Sequence, residues 1–332
     1  MSGRTSVLVL DEEFVPTLEE LDTDVELWTR TVLGDTDKAA SVDALICQFD
    51  TVDADLIGRL PNLRAVVKMG QSYHNVEVDA LRERGIPLFV TPRKGPNCVA
   101  ELAMTFMLAL SKDLLVSHAS VAEGAYRLRG LKPERSEQWK MAFHWMRHTT
   151  LHEVRGKTVG IVGMGEIGCE LALRANAMGM RVLYTKRSPL SNELEERFRA
   201  TYMPLDGLLE ASDYVVLAVP HTAETEGMIG ADELASMRES AYLVNICRGG
   251  VVDEDALVAA LSERRIAGAG LDVFTYEPLP VDSPLCDLDN VILTPHVGGG
   301  SGTNRALELT AAVRATQQAL AGDGGGEAWR IR

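Results

Sequence analysis

The chain has 332 residues, 46% of them hydrophobic and 24% charged, which suits a globular protein of about two domains at roughly 150 residues each. Its 33 basic and 48 acidic side chains leave a net charge of −15, which repels phosphate backbones and anionic lipid and argues against a nucleic-acid or membrane partner for the protein as a whole. No apolar run reaches the roughly 18 residues of a membrane span and no secretory signal is read at the N-terminus.

The five cysteines, Cys47, Cys98, Cys169, Cys247 and Cys286, contain no CxxC pair, so reduced thiols in a cytoplasmic protein are expected. The seven histidines show no ligand spacing with Cys or Asp, and no metal is expected.

Along the chain, β-branched runs alternate with helical stretches. Strands are expected at 5–10, 43–47, 64–68 and 86–90, then in a second series at 158–162, 181–185, 214–219, 241–246, 268–272 and 291–294. Helical patterns occupy 168–178, 205–211, 231–237 and 253–263. Such alternation predicts parallel sheets with right-handed crossovers, and two series predict two α/β domains rather than one wide sheet. Between the series, 98–118 reads as one long apolar helix started by Asn97, packed either in a core or between domains. A polar, irregular stretch with Tyr126, Trp139, Phe143 and Trp145 follows. A last helix is expected at 301–321, and the glycine-rich tail 322–332 is expected to be mobile.

The strand at 158–162 runs into Gly163-Met164-Gly165-Glu166-Ile167-Gly168, followed by a helical pattern. In a strand–turn–helix context this is a dinucleotide fingerprint: Gly163 for the tight turn, Gly165 for approach of a pyrophosphate, Gly168 for close packing of helix on strand. The next strand ends in Thr185-Lys186-Arg187-Ser188, with no carboxylate for a ribose 2′-hydroxyl. Two cations and two hydroxyls there suit a 2′-phosphate, so NADP is expected over NAD, the alternative being a solvated basic loop. Three residues then fall at or just beyond the ends of late strands: Arg248 in NICRGG, Glu277 in TYEPLP and His296 in TPHVGG.

These motifs, with LVNICRGGVVDEDALVAAL at 243–261, GAGLDVFTYEPLP at 268–280 and NVILTPHVGG at 290–299, are similar to those of the D-isomer-specific 2-hydroxyacid dehydrogenases. The resemblance runs from about residue 43 to 320. It implies an α/β fold of two Rossmann-like domains. A doubly wound NAD(P)-binding domain at 98–296 would be inserted into a smaller flavodoxin-like substrate domain, 1–97 plus 297–332, with the active site in the cleft between them. It implies reduction of a 2-oxo acid to the D-2-hydroxy acid and the reverse, with glyoxylate and hydroxypyruvate as default substrates, in a homodimer.

The resemblance also implies roles. Arg248 would hold the substrate carboxylate, His296 would donate the proton and Glu277 would orient the imidazole and favour its charged form. Asp272 would bond the nicotinamide carboxamide, Pro220 and Thr225 would line the adenosine, and the Cys247 backbone would contact the nicotinamide side, a nucleophilic Cys247 being the alternative. Gly299 is placed with the cofactor residues. The loop Gly70-Gln71-Ser72-Tyr73 would offer N–H groups to the carboxylate. The sequence departs from the family at His74, read either as a structural replacement or as a second acid–base residue. It departs also at Arg93 and Lys94, which are either surface cations or contacts for a doubly anionic substrate such as a dicarboxylate or phosphonate. A dinucleotide-sensing protein similar to the corepressor branch of the family is a further alternative.

Overall fold

The computed structural model describes residues 5–11, 25–70, 72–91, 93–136, 145–299, 304–322 and 329–331. Its strands are β1 (Thr5–Val9), β2 (Val25–Trp28), β3 (Ala44–Cys47), β4 (Ala65–Met69), β5 (Leu88–Thr91), β6 (Thr158–Val162), β7 (Arg181–Thr185), β8 (Ala200–Tyr202), β9 (Tyr214–Leu217), β10 (Tyr242–Asn245), β11 (Gly268–Leu271), β12 (Val291–Leu293) and β13 (Trp329–Ile331). The chain divides into two compact units, Met1–Cys98 with Gly299–Arg332, and Val99–Gly298.

The first unit holds a six-stranded sheet in the order β2-β1-β3-β4-β5-β13, parallel except for the antiparallel pairing of β13 with β5. Its central strands β1, β3, β4 and β5 are buried along almost their whole length because both faces are covered. One face presents Val7 and Val9, Ala44 and Ile46, and Ala65, Val67 and Met69 at the two-residue period of a strand. Leu309, Ala312 and Val313 of the helix Asn304–Ala321 pack on that face, so the end of the chain completes the core begun by its start.

The second unit holds a seven-stranded, all-parallel sheet in the order β8-β7-β6-β9-β10-β11-β12. Leu208 and Leu209, Leu234, and Leu257 and Leu261 from three successive helices bury against Leu217, Leu243 and Leu271 of its strands. The strand order steps outward from β6 to β8 and resumes on the other side at β9. This is a doubly wound sheet with its reversal between β6 and β9.

Three expectations change. The apolar stretch at 98–118 is two helices, Lys94–Ser111 and Leu114–Ala122, broken where Asp113 takes φ +43°, a left-handed conformation that Asp tolerates better than most residues. The tail expected to be mobile holds a strand: Trp329–Ile331 pairs with β5 through backbone groups, which any sequence supplies. Strands β2 (VELW) and β8 (ATY) were not expected, because a polar residue interrupts each and neither reads as an apolar run like the equally short β3, β5 and β12.

Candidate active site

Ligands of open α/β sheets bind outside the carboxyl ends of the strands at the reversal of strand order. There β6 leads into Gly163, at φ +106°, where a Cβ would stand 2.5 Å from the Ala218 carbonyl oxygen. At Gly168 a Cβ would stand 2.3 Å from the Gly163 carbonyl oxygen, so the helix Glu166–Ala177 approaches its strand only without a side chain there. Gly165 differs. Nothing lies within 4 Å of its Cβ direction, and as N-cap it returns no side chain to the first-turn amides. A side chain would fill this open space over a helix N-terminus, and the space fits the pyrophosphate of a dinucleotide. Met164 beside it is buried, and Glu166 and Ile167 are half-buried.

The Gly163 N–H donates to the Thr185 carbonyl at 2.9 Å, tying this turn to the end of β7. Beyond Thr185, Lys186 is half-buried while Arg187 and Ser188 are exposed. Burial lowers the Lys186 pKa. In the loop after β9, the Thr225 hydroxyl donates to the Pro220 carbonyl at 2.7 Å and accepts from the Thr222 N–H at 2.8 Å, closing the loop on itself. The Thr222 hydroxyl first, then the Glu224 N–H and the Arg187 charge, hold the exposed Glu224 carboxyl below its usual range.

Arg248, Glu277 and His296 stand beyond the next three strands. Arg248 is extended and exposed after β10. Its turn is shaped by Asn245, 2% exposed, whose Nδ2 donates to the Arg248 carbonyl at 3.0 Å while its Oδ1 accepts from the Cys247 N–H at 3.1 Å. The Cys247 thiol donates to the same Oδ1 at 3.1 Å, and burial pushes its pKa up to about 11, so the proton stays on sulfur. That chemistry disfavours the nucleophile alternative. Next to Arg248, a Cβ on Gly249 would stand 1.9 Å from the Phe274 carbonyl carbon, so the backbone of the Arg248 turn lies directly against that of the Glu277 turn.

Glu277 accepts from the Phe274 N–H at Oε1, 3.1 Å, and meets His296 Nδ1 at Oε2, 2.7 Å. Burial opposes its charge. The His296 contact, the Phe274 N–H and the positive charge of Arg248 outweigh that and hold the carboxyl below its ordinary range. An ionised carboxylate only accepts, so Nδ1 carries the hydrogen and Nε2 is the ring nitrogen turned away from Glu277.

His296 itself sits at φ +54°, uncommon outside glycine and often a mark of function. Its N–H donates to the carbonyls of Asp272 at 2.9 Å and Thr294 at 3.0 Å. The Asp272 side chain, in a residue 2% exposed, accepts from the Thr294 hydroxyl at 2.5 Å and from the N–H groups of Val297 and Gly298, each at 2.8 Å. Both Asp272 oxygens accept from the loop that carries His296, so Asp272 organises that loop. Gly299, just beyond, has open space at its Cβ direction.

The family model for the NAD-binding domain of D-isomer specific 2-hydroxyacid dehydrogenases matches residues 104–298, more than half of the chain. The chain belongs to the D-isomer specific 2-hydroxyacid dehydrogenase family. It is 41% identical over 285 residues to the glyoxylate reductase of Thermococcus gammatolerans, covering 84% of this chain and 81% of that one. It is 39% identical over 317 residues to glyoxylate/hydroxypyruvate reductase B of Pectobacterium carotovorum, covering 95% and 91%. Among solved structures, a glyoxylate reductase from Paecilomyes thermophila is similar with a TM-score of 0.56 at 29% identity, over 96% of both chains. The protein is thus an oxidoreductase, a D-2-hydroxyacid dehydrogenase with a domain for a nicotinamide dinucleotide.

In the first unit of this dehydrogenase, the loop after β4 starts at Gly70, φ +105°, whose N–H donates to the Thr91 carbonyl at 2.7 Å and so is not free for a substrate carboxylate. Gln71 lies outside the described residues, as do Trp139 and Phe143. Ser72 and Tyr73 are buried, and the Ser72 hydroxyl is 2.8 Å from His74 Nδ1, so His74 is bonded within its own loop. Arg93 is not a solvated surface cation: its Nε pairs with the buried Glu308 at 3.4 Å and its guanidinium lies over the Phe49 ring at 5.8 Å. Lys94 is exposed in the first turn of its helix. Sequence reasoning missed Asn245, Gly249 and the buried Asp11. Asp11 accepts from the N–H groups of Gln48 at 2.5 Å, Phe49 at 2.8 Å and Asp50 at 3.3 Å. Only Asn245 and Gly249 carried a signal, as members of the 243–261 motif.

Among the described residues no helix is long and apolar enough to cross a membrane, and no three His, Cys, Asp or Glu side chains gather as a metal site.

Proposed function

We propose that this dehydrogenase reduces a small 2-oxo acid, glyoxylate or hydroxypyruvate by default, to the D-2-hydroxy acid, works in reverse as well, and prefers NADPH. The observation that carries the reading is the 2.7 Å contact of His296 Nδ1 with a charged Glu277, within the field of Arg248. When bound, the nicotinamide supplies the hydride. Glu277 fixes the imidazole by its Nδ1, which leaves Nε2 to hand a proton to the 2-oxygen during reduction and to take it back in the reverse direction. The Arg248 fork suits the substrate carboxylate. The open cradle at Gly165 supports the pyrophosphate site. Lys186, Arg187 and the hydroxyls of Thr185 and Ser188 support a 2′-phosphate, since no carboxylate ends β7. In this reading the second unit takes the dinucleotide, the first unit the 2-oxo acid. The names of the relatives support the substrate class. The helix Leu114–Ala122, with no buried residue and with Leu114, Leu115 and Val121 exposed, supports a homodimer.

Initial rates of reduced-nicotinamide oxidation test the reading. NADPH and NADH are offered in parallel against glyoxylate, hydroxypyruvate, pyruvate, 2-oxoglutarate, oxaloacetate and a phosphonate-bearing 2-oxo acid. The expected result is turnover of a small 2-oxo acid, faster with NADPH, that falls by about 10²–10⁴-fold in His296→Ala. Equal efficiency with NADH overturns the cofactor preference. Turnover confined to the doubly anionic acids overturns the substrate.

A further inference from the structure

The basic loop after β7 is fastened at both ends. At its start, the Thr185 carbonyl accepts from the Gly163 N–H at 2.9 Å, so its first residue is fixed to the glycine turn. At its end, the Leu190 N–H donates to the hydroxyl of Tyr184 at 2.8 Å. Tyr184 is the next-to-last residue of β7, so this bond closes the loop back onto the strand it leaves. Between the two ties, Arg187 and Ser188 are exposed and Lys186 is half-buried.

The tie itself is held from behind. The Tyr184 ring is completely buried, and its hydroxyl donates to Glu195 Oε1 at 2.7 Å. The same Oε1 accepts from the Tyr202 N–H at 3.3 Å, and the Tyr202 ring meets the Tyr184 ring edge-on at 5.7 Å between centroids. Burial, and after it the Glu195 bond, push the phenol far above its ordinary range, so the hydroxyl keeps its proton and has one donor direction. Glu195 takes that direction. The oxygen then presents its lone pairs to the only other described partner, the Leu190 N–H. Glu195 belongs to the helix Asn192–Phe198 and Tyr202 to β8, so two later elements set the position of one hydroxyl.

We infer that the Tyr184–Glu195 pair positions the Lys186–Ser188 segment for the 2′-phosphate, and so acts as a specificity device that touches no ligand. The inference rests on the NADPH preference proposed above. Its physical basis is preorganisation. A loop already closed loses little freedom when its cations engage a phosphate, whereas a loop freed at Leu190 must be ordered by the ligand. The cost falls on the ligand that uses the loop. A nucleotide without the 2′-phosphate still finds the glycine turn and the helix N-terminus, which the Tyr184 hydroxyl does not hold.

Titration calorimetry with adenosine 2′,5′-bisphosphate and 5′-AMP tests this, because the probes differ only in the 2′-phosphate and need no turnover. In Tyr184→Phe the bisphosphate is expected to bind about three- to tenfold more weakly, the size of one lost buried hydrogen bond, with AMP unchanged. Glu195→Ala leaves the buried ring intact, carries the test if Tyr184→Phe fails to fold, and is expected to show the same selective loss. Glu195→Gln keeps an acceptor oxygen and is expected to restore the wild-type ratio. Equal weakening of both probes, an unchanged bisphosphate affinity, or a Glu195→Gln as selective as Glu195→Ala overturns the inference. The combined Lys186→Ala and Arg187→Ala variant separates the two levels. If it leaves the wild-type ratio unchanged, the cofactor reading falls and the clamp with it. If it abolishes the ratio while Tyr184→Phe does not, the clamp alone falls.

Discussion

Each sheet ends, on its carboxyl side, at a buried aspartate that gathers hydrogen-bond donors from a neighbouring loop. Asp272 in the second unit collects the Thr294 hydroxyl and the N–H groups of Val297 and Gly298. Asp11 in the first unit collects three successive N–H groups, Gln48 to Asp50. The physics is the same: a carboxylate out of water is tolerable when charge-assisted hydrogen bonds replace its hydration, and those bonds fix the loop that supplies them. What differs is the passenger. The Asp272 loop carries His296, held at φ +54° against Glu277. The Asp11 loop carries Phe49, 65% exposed, with the Arg93 guanidinium over its ring. A shared folding device becomes functional or structural according to one side chain in its loop.

The largest effect is expected where the second unit goes beyond this device. Gly249→Ala puts a Cβ against the backbone of Phe274 and Thr275, atoms that do not move aside as a side-chain end does. The Arg248 turn and the Glu277 turn must then separate. We expect a stability loss of about 3 kcal/mol or more and loss of turnover, read by denaturant unfolding and steady-state rates. A variant as stable and active as wild type would mean that the close approach is not needed.

The comparison itself is tested by Asp272→Asn against Asp11→Asn. In each, one carboxylate oxygen becomes an amide nitrogen that cannot accept, and a stability loss of about 1.5–3 kcal/mol is expected from bonds to a charged group. The kinetic consequences should diverge. Releasing the His296 loop is expected to lower kcat about a hundredfold, the cost of misplacing a reacting group by an ångström. Asp11 holds a loop whose Asp50 carbonyl accepts from Asn75 Nδ2 at 2.7 Å, two residues beyond the loop Gly70–Tyr73 expected to meet the substrate, so its variant should raise KM at nearly constant kcat. Equal losses of kcat in both variants would erase the distinction.

The two aspartates also mark how far the sequence could be read. The glycine turn and the placement of Arg248, Glu277 and His296 after strands were legible because each depends on neighbours a few residues away. The Asp272 loop was half legible: the residue lay in a motif, but its partners are 22 to 26 positions on. Asp11 was illegible, since its partners begin 37 residues away and a lone Asp after a strand has no spacing to betray it. The Arg93 ion pair was illegible for the same reason, its partner Glu308 being 215 residues distant. Tyr184 carried no signal of its own, because its importance lies in a hydroxyl bond to the far end of a loop. The break at Asp113 turns on a single backbone angle that apolar periodicity does not encode.

A smaller effect separates the cations of the two units. Arg248 is exposed and free of a carboxylate partner in its own turn, whereas Arg93 is 23% exposed against a Glu308 that is 6% exposed. Arg93→Ala is expected to cost about 1–2 kcal/mol of stability, because the buried Glu308 carboxylate is left with the Gly95 N–H alone among its described partners. It should leave the ranking of mono- and doubly anionic substrates unchanged. A selective loss of affinity for dicarboxylates would return Arg93 to the substrate.

The smallest effect concerns the pair that carries the proposed chemistry. The folded state holds Glu277 below its ordinary pKa despite the opposing effect of burial, so ionisation of this group favours folding. A depressed carboxylate contributes its stability above the unfolded value, about 4.3, and loses it as the pH falls through the lower folded value. Glu277→Gln has no such contribution at any pH. The difference in unfolding free energy between wild type and Glu277→Gln should therefore be constant near neutrality and shrink on acidification below about pH 4.3. With its side chain 35% exposed, solvent keeps the difference small. A gap that widened on acidification would reverse the sign of the shift. It would mean that the Glu277–His296 contact does not favour the charged carboxylate, removing the reason for assigning the hydrogen to Nδ1 and the proton transfer to Nε2.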